Sequence, residues 1–170
     1  MSDYQLGPCK VEIDGADMGK TEGGVTLTIN DSSVVLHTDQ DGETPVDEVI
    51  TGKTVTVTGA LSEVTLEHIA TVLNASVTGA GASKKIEITP GVGTSLLSNS
   101  VQMILTPYVD GSPSSAANDK ITIHKAGLKA AIDMAYNRSD QRVVNFEAVG
   151  YPDSSQSDVI ITFGDTAAAS

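Results

Sequence analysis

Threonine and valine alternate through much of this chain, and alternation of apolar with polar positions marks a strand that buries one face. The segments 9–13, 25–29, 33–38, 53–58, 84–89, 101–108 and 120–124 all carry it, with Gly, Pro, Asp and Ser between them. Short strands at this frequency predict a mainly β fold, an antiparallel β-sandwich or barrel. One segment departs. In "LSEVTLEHIATVLNAS" the apolar residues Leu66, Ile69, Ala70 and Leu73 recur at helical spacing. That predicts one flanking helix over residues 62–74, with Ser62 as its N-cap and Glu63 and Glu67 near its positive end. Its Leu/Ile face is expected to cover one face or end of the sheet.

"GLKAAIDMAYN" fits both periods, since Leu128, Ala130, Ile132, Met134 and Tyr136 alternate while Leu128, Ala131, Ile132, Ala135 and Tyr136 share a helical face. The next strand pattern along the chain, "QRVVNFEAVGY", and the turn-rich "NRSDQ" between them favour a long β-hairpin. A helix there would remove that closing hairpin. Two segments read as loops. Residues 39–52 carry five acids, Asp39, Asp41, Glu43, Asp47 and Glu48, together with Pro45 and the apolar trio Val46, Val49 and Ile50. Loops of that length in a compact domain tend to have a function. Residues 110–119 form a polar excursion, and 166–170 a flexible tail. Neither a repeat nor a linker interrupts residues 1–170, which are expected to form one domain.

Composition narrows the picture. Only 4% of residues are aromatic and none is Trp, so Val, Ile, Leu and Ala must build the core. A single cysteine, Cys9, excludes an internal disulfide framework and reads as a small, buried hydrophobe. The N-terminus lacks the pattern of a signal peptide and no apolar run is long enough for a membrane helix, so synthesis and folding in a cytoplasm are expected. A net charge of -12 repels phosphate backbones and argues against ordinary DNA or RNA binding. The bases are not interleaved with aromatic residues as a stacking platform requires.

Candidate chemistry is sparse. "DGADMGKTEGG" at 14–24 contains the GKT of a phosphate-binding loop, but the position five before Gly19 is Asp14, and Gly15 is one residue too close. After Thr21 the chain takes up a strand pattern where the phosphate loop needs a helix. The segment therefore reads as a Gly-rich connection between strands, with Lys20 a surface or inter-subunit charge. Asp39, Asp41 and Gly42 depart from a calcium loop, because glycine arrives at position four and Ile50 stands where the bidentate glutamate belongs. His37, His68 and His124 are scattered, and no G-x-S-x-G elbow supports a nucleophile. These patterns point to neither an enzyme, a metal site nor a cofactor.

Three ordered landmarks remain: "GPCKVEIDGADMGKTEGGVTLTI", "DGETPVDEVITGKTVTVTGALSEVTLEHIATVLNA" and "YNRSDQRVVNFEAVGYPD". In this order they resemble the tail tube proteins of tailed bacteriophages, over most of residues 7–165. The resemblance implies a β-sandwich or barrel with a flanking helix, six copies joining their sheets into a ring, and rings stacking into the tube that conducts DNA. It further implies a place in the virion tail, with tail tip or baseplate, tape measure and tail terminator proteins as partners. Residues 39–52 match the family's assembly loop in position, with Val46, Val49 and Ile50 as its anchors, and Glu12 and Asp133 become lumen-facing candidates by alternation. Alternatives are a type VI secretion tube, which shares the fold, another virion component such as a tail terminator, and a monomeric β-sandwich binding module. The absence of Trp weighs against a sugar-binding version of the last.

Overall fold

The computed structural model describes residues 7–132, 134, 136, 138 and 141–168. Its strands are β1 (Cys9–Ile13), β2 (Ala16–Asp17), β3 (Thr21–Leu36), β4 (Asp47–Leu61), β5 (Val77–Thr78), β6 (Lys85–Ile86), β7 (Val101–Val109), β8 (Ser112–Pro113), β9 (Ile121–Ala131), β10 (Val144–Tyr151) and β11 (Ile161–Phe163). One α-helix, α1 (Leu66–Leu73), lies between β4 and β5. The chain is mainly β, as the alternation predicts. A large antiparallel sheet runs in the order β2-β1-β7-β9-β10-β4-β3, with β11 also on β9 and β8 on β7, while β5 and β6 pair apart from it.

Chain connectivity forces this sheet to roll. The strands β2 and β3 stand at its opposite ends, yet only residues 18–20 join them. Laid flat, six inter-strand steps would separate those ends by about 29 Å, whereas the link between Asp17 and Thr21 spans at most about 14 Å. The sheet therefore coils until its two edges approach, giving a sandwich-like body with its core inside. Each residue of the link has a task. Met18 is buried and donates its N–H to the Val11 carbonyl at 2.9 Å. Gly19 turns the chain at φ +72°, and the Lys20 carbonyl accepts from both the N–H and the hydroxyl of Ser62, at 2.8 and 3.0 Å.

Burial follows the period of two. On β10, Val144, Phe146 and Ala148 point inward between the more exposed Asn145, Glu147 and Val149. Val55, Val57 and Leu61 of β4 do the same, joined by Val11 and Ile13 of β1 and by Met103 and Leu105 of β7. The tight turn from β1 to β2 is Asp14-Gly15, both at positive φ, between the opposed pair Ile13 and Ala16. An Asp-Gly pair in two-residue hairpins suits the twist of the flanking strands. The glycine-rich 14–24 segment is thus turn and strand: the expected connection is there, but the segment also contains β2 and the start of β3. Gly23 and Gly24 form a bulge, since β3 advances from Glu22 to Val25 while β4 moves only from Ala60 to Gly59.

Several expectations need correction. Ser62 is not the helix cap, because its hydroxyl is engaged by Lys20; Thr65 caps instead, accepting from the His68 N–H at 3.1 Å. The helix is accordingly shorter than 62–74. It packs across β9 with Ala70 and Val72 buried, and Leu66 is left exposed. Strands expected at 25–29 and 33–38 are one continuous β3, and the strand expected at 84–89 shrinks to β6. The ambiguous "GLKAA" is strand: β9 pairs with β10 from Lys125 opposite Tyr151 to Ala131 opposite Asn145. The closing hairpin therefore exists, although part of its connection lies outside the described residues.

If the link closes the core, Met18→Ala should destabilise the protein by about 2–5 kcal/mol in urea unfolding. A loss below about 1 kcal/mol would place Met18 outside the cooperative core.

Candidate functional site

The feature that sets this molecule apart is what β3 and β4 do beyond the body. Their ladder continues from Ile29 opposite Val55 out to Leu36 opposite Asp47. Every residue from 28 to 54 is exposed. The two strands thus project as an arm whose two faces both meet solvent. A two-stranded ribbon alone is marginally stable in water, because it buries neither face. The expected loop at 39–52 is corrected here: residues 47–52 belong to β4, and the connection between the strands is 37–46. Within it Asp41 and Gly42 both donate N–H bonds to the Thr38 carbonyl at 3.1 Å, with Gly42 at φ +64°.

Register assigns side chains to faces, since directly opposed residues in an antiparallel pair share a face. Asp31 opposes Lys53 and Ser33 opposes Ile50, with Thr51 left over as a bulge between Gly52 and Ile50. That face is largely self-satisfied: Lys53 pairs with Asp31, and the Ser33 hydroxyl donates to Glu48. The other face changes character along its length. Near the body it is threonine on threonine, Thr26 opposite Thr58 and Thr28 opposite Thr56. Toward the tip it carries Val34 directly opposite Val49, with Leu36 beyond them opposite Asp47; Val46, in the connection, donates its N–H to the Leu36 carbonyl at 2.9 Å. These side chains are 45–54% exposed, and Ile50 on the opposite face is 63% exposed.

The sequence-predicted site residues thus come together only in part. Val49 and Ile50 stand on opposite faces of the ribbon, and Val46 lies exposed in the connection beside Leu36. Asp39, Glu43 and Pro45 lie exposed in the tip, Asp41 accepts from the Thr38 hydroxyl, and Asp47 accepts from the Glu48 N–H at 2.8 Å. Among the described residues no group of three or more His, Cys, Asp or Glu side chains is placed to hold a metal ion. Lys20 is far from the arm tip in sequence; its side chain is 83% exposed and its ammonium sits 4.0 Å from Glu63. Glu12, read as a lumen candidate, is matched by Lys10 at 2.9 Å on the solvent side of β1. The hydrogen bond to Glu12, with the further charge of Asp17, holds the Lys10 ammonium above its ordinary pKa. Asp133 lies outside the described residues.

Sequence reasoning missed a second surface. At one end of the rolled sheet the core opens into an apolar groove of about 360 Å³, walled by Val25 and Leu27 of β3 on one side and by Cys9, Leu105, Ile121 and Phe163 on the other. Burial pushes the Cys9 thiol pKa up. No local signal announces this groove, because its walls come from five strands brought together by the roll. Phe163, which lines it, is 54% exposed.

Fold and site define the class as a mainly β protein, a large antiparallel sheet with one α-helix among the described residues and a projecting ribbon. The chain matches no protein-family model, and no curated protein matches it either. No helix among the described residues is long and apolar enough to cross a membrane.

If the arm is energetically separate from the body, Val34→Ser and Val49→Ser should each shift global stability by no more than about 0.5 kcal/mol. Phe146→Ala, by contrast, should cost about 3–5 kcal/mol. Calorimetric melting checks the contrast, and comparable losses would show that the ribbon belongs to the cooperative core.

Proposed function

We propose that this chain is a structural, self-assembling subunit of the tail tube kind, forming hexameric rings that stack into a conduit for DNA in a virion tail. The observation that carries the proposal is the exposed arm. A ribbon with unburied aliphatic side chains on both faces is an aggregation hazard in a free monomer. In an assembly it becomes the contact that orders it. The ordered landmarks that resemble tail tube proteins add to this, and the arm stands where that family carries its assembly loop.

Two further features support the reading. Strand β3 leaves one long edge of the sheet without a partner strand among the described residues, and lateral joining to another copy satisfies such an edge. The face carrying Thr26, Thr28, Thr56 and Thr58 continues onto Glu147 of β10, paired with Lys129 at 3.0 Å. A hydrated, weakly charged face of this kind suits a wall along which DNA passes without adhering. The net charge of -12 acts in the same direction. Tail tip or baseplate, tape measure and tail terminator proteins are the partners this role requires.

Replacing residues 30–54 by Asn-Gly joins Ile29 to Val55, an opposed pair, through a two-residue turn. The shortened chain should remain a folded monomer, while the full chain forms rings or tubes visible by negative-stain electron microscopy. Tubes from the shortened chain at the same concentration would overturn the proposal.

A further inference from the structure

We infer that the aliphatic arm tip of one copy seats in the apolar groove of a second copy, beside Lys20. The inference rests on the assembly reading and names the surface that receives the arm.

Leu27, which walls the groove, and Val34 to Leu36 at the tip lie on one continuous strand. Seven to nine extended residues place them about 23–30 Å apart. The arm therefore cannot occupy its own groove without breaking the ladder with β4, and the occupant must come from another molecule. Shape and chemistry also match. The tip offers Val34, Leu36, Val46 and Val49 on a ribbon, and the groove is an aliphatic slot with an exposed phenyl ring at its rim. Burying four such side chains against it is the main favourable term of the contact.

Charge acts in the same direction. The tip is flanked by Asp39, Asp41, Glu43 and Asp47, so it is repelled by most of a surface carrying -12. Next to the groove, across a depression that shares Cys9 with it, stands Lys20, its ammonium exposed and at 4.0 Å only loosely paired with Glu63. The acid that lines the groove itself, Asp119, is occupied by the Ser114 hydroxyl at 2.7 Å. Arm and groove are different surfaces of one molecule, so their union is heterologous and propagates from copy to copy.

Cys9, the chain's single cysteine, lies in the groove and serves as a built-in probe. A Val49→Cys chain, concentrated and exposed to copper-catalysed air oxidation in mildly alkaline buffer, is followed by sedimentation velocity and by non-reducing electrophoresis. The expected result is a ladder of disulfide-linked multimers that reductant collapses and that disappears when Cys9→Ser is added. Assembly without a ladder, a dimer that persists in the Cys9→Ser background, or an intramolecular disulfide would overturn the groove contact while sparing self-assembly. A chain that stays monomeric at every concentration would overturn both. As a second measurement, Phe163→Asp, at an exposed rim position, should raise the critical concentration about tenfold or more with unchanged melting. An unchanged critical concentration would count against the groove.

Discussion

Three residues decide the architecture of this protein. Met18, Gly19 and Lys20 connect opposite edges of one sheet, and no flat sheet of this width allows so short a bridge. The roll they impose puts Val11, Ile13, Met103 and Leu105 across from Val55, Val57 and Phe146, and so creates an interior. The link is held at both ends: Met18 is anchored to Val11, and the Lys20 carbonyl is clamped by Ser62 where β4 gives way to the helical segment. Closure of the body and the end of β4 thus meet at one serine.

The same constraint explains the arm and the groove. Rolling uses the lower halves of β3 and β4, whose inward residues end at Val25, Leu27 and Val55. Above that level the strands have no opposing layer, so the ladder continues as a bare ribbon. Where Val25 and Leu27 of β3 meet Cys9, Leu105, Ile121 and Phe163 the coil leaves an apolar slot against the core. A protein with an unpartnered aliphatic ribbon and an unfilled aliphatic slot carries both halves of a contact.

Much of the body was legible in the sequence because alternation reports a strand that covers a core. Segments 9–13 and 101–108 coincide closely with β1 and β7, and the glycines of 14–24 were readable as a turn between strands, though the Gly23–Gly24 bulge was not. The arm was legible only as a sequence of odd signals. "NDSS" at 30–33 looks like a turn because polar residues on both faces erase the alternation, yet a ribbon wet on both sides tolerates them. For the same reason 47–52 read as loop. Ser62 and Thr65 are both sound caps by type, and only the distant Lys20 carbonyl decides between them. The acids and aliphatics of 39–50 were singled out as one loop, but their division between two faces depends on register and the Thr51 bulge. The groove had no local signature.

The central claim is that the arm is unsupported in the free chain and becomes ordered against another copy. Amide hydrogen exchange on dilute and assembled protein tests it most directly. In the dilute monomer, amides of 30–36 and 47–54 should exchange rapidly while those of 55–61 stay protected, and assembly should slow the arm by about a hundredfold or more. Arm amides as protected as the core at dilution, or still fast in the assembled state, would contradict the account.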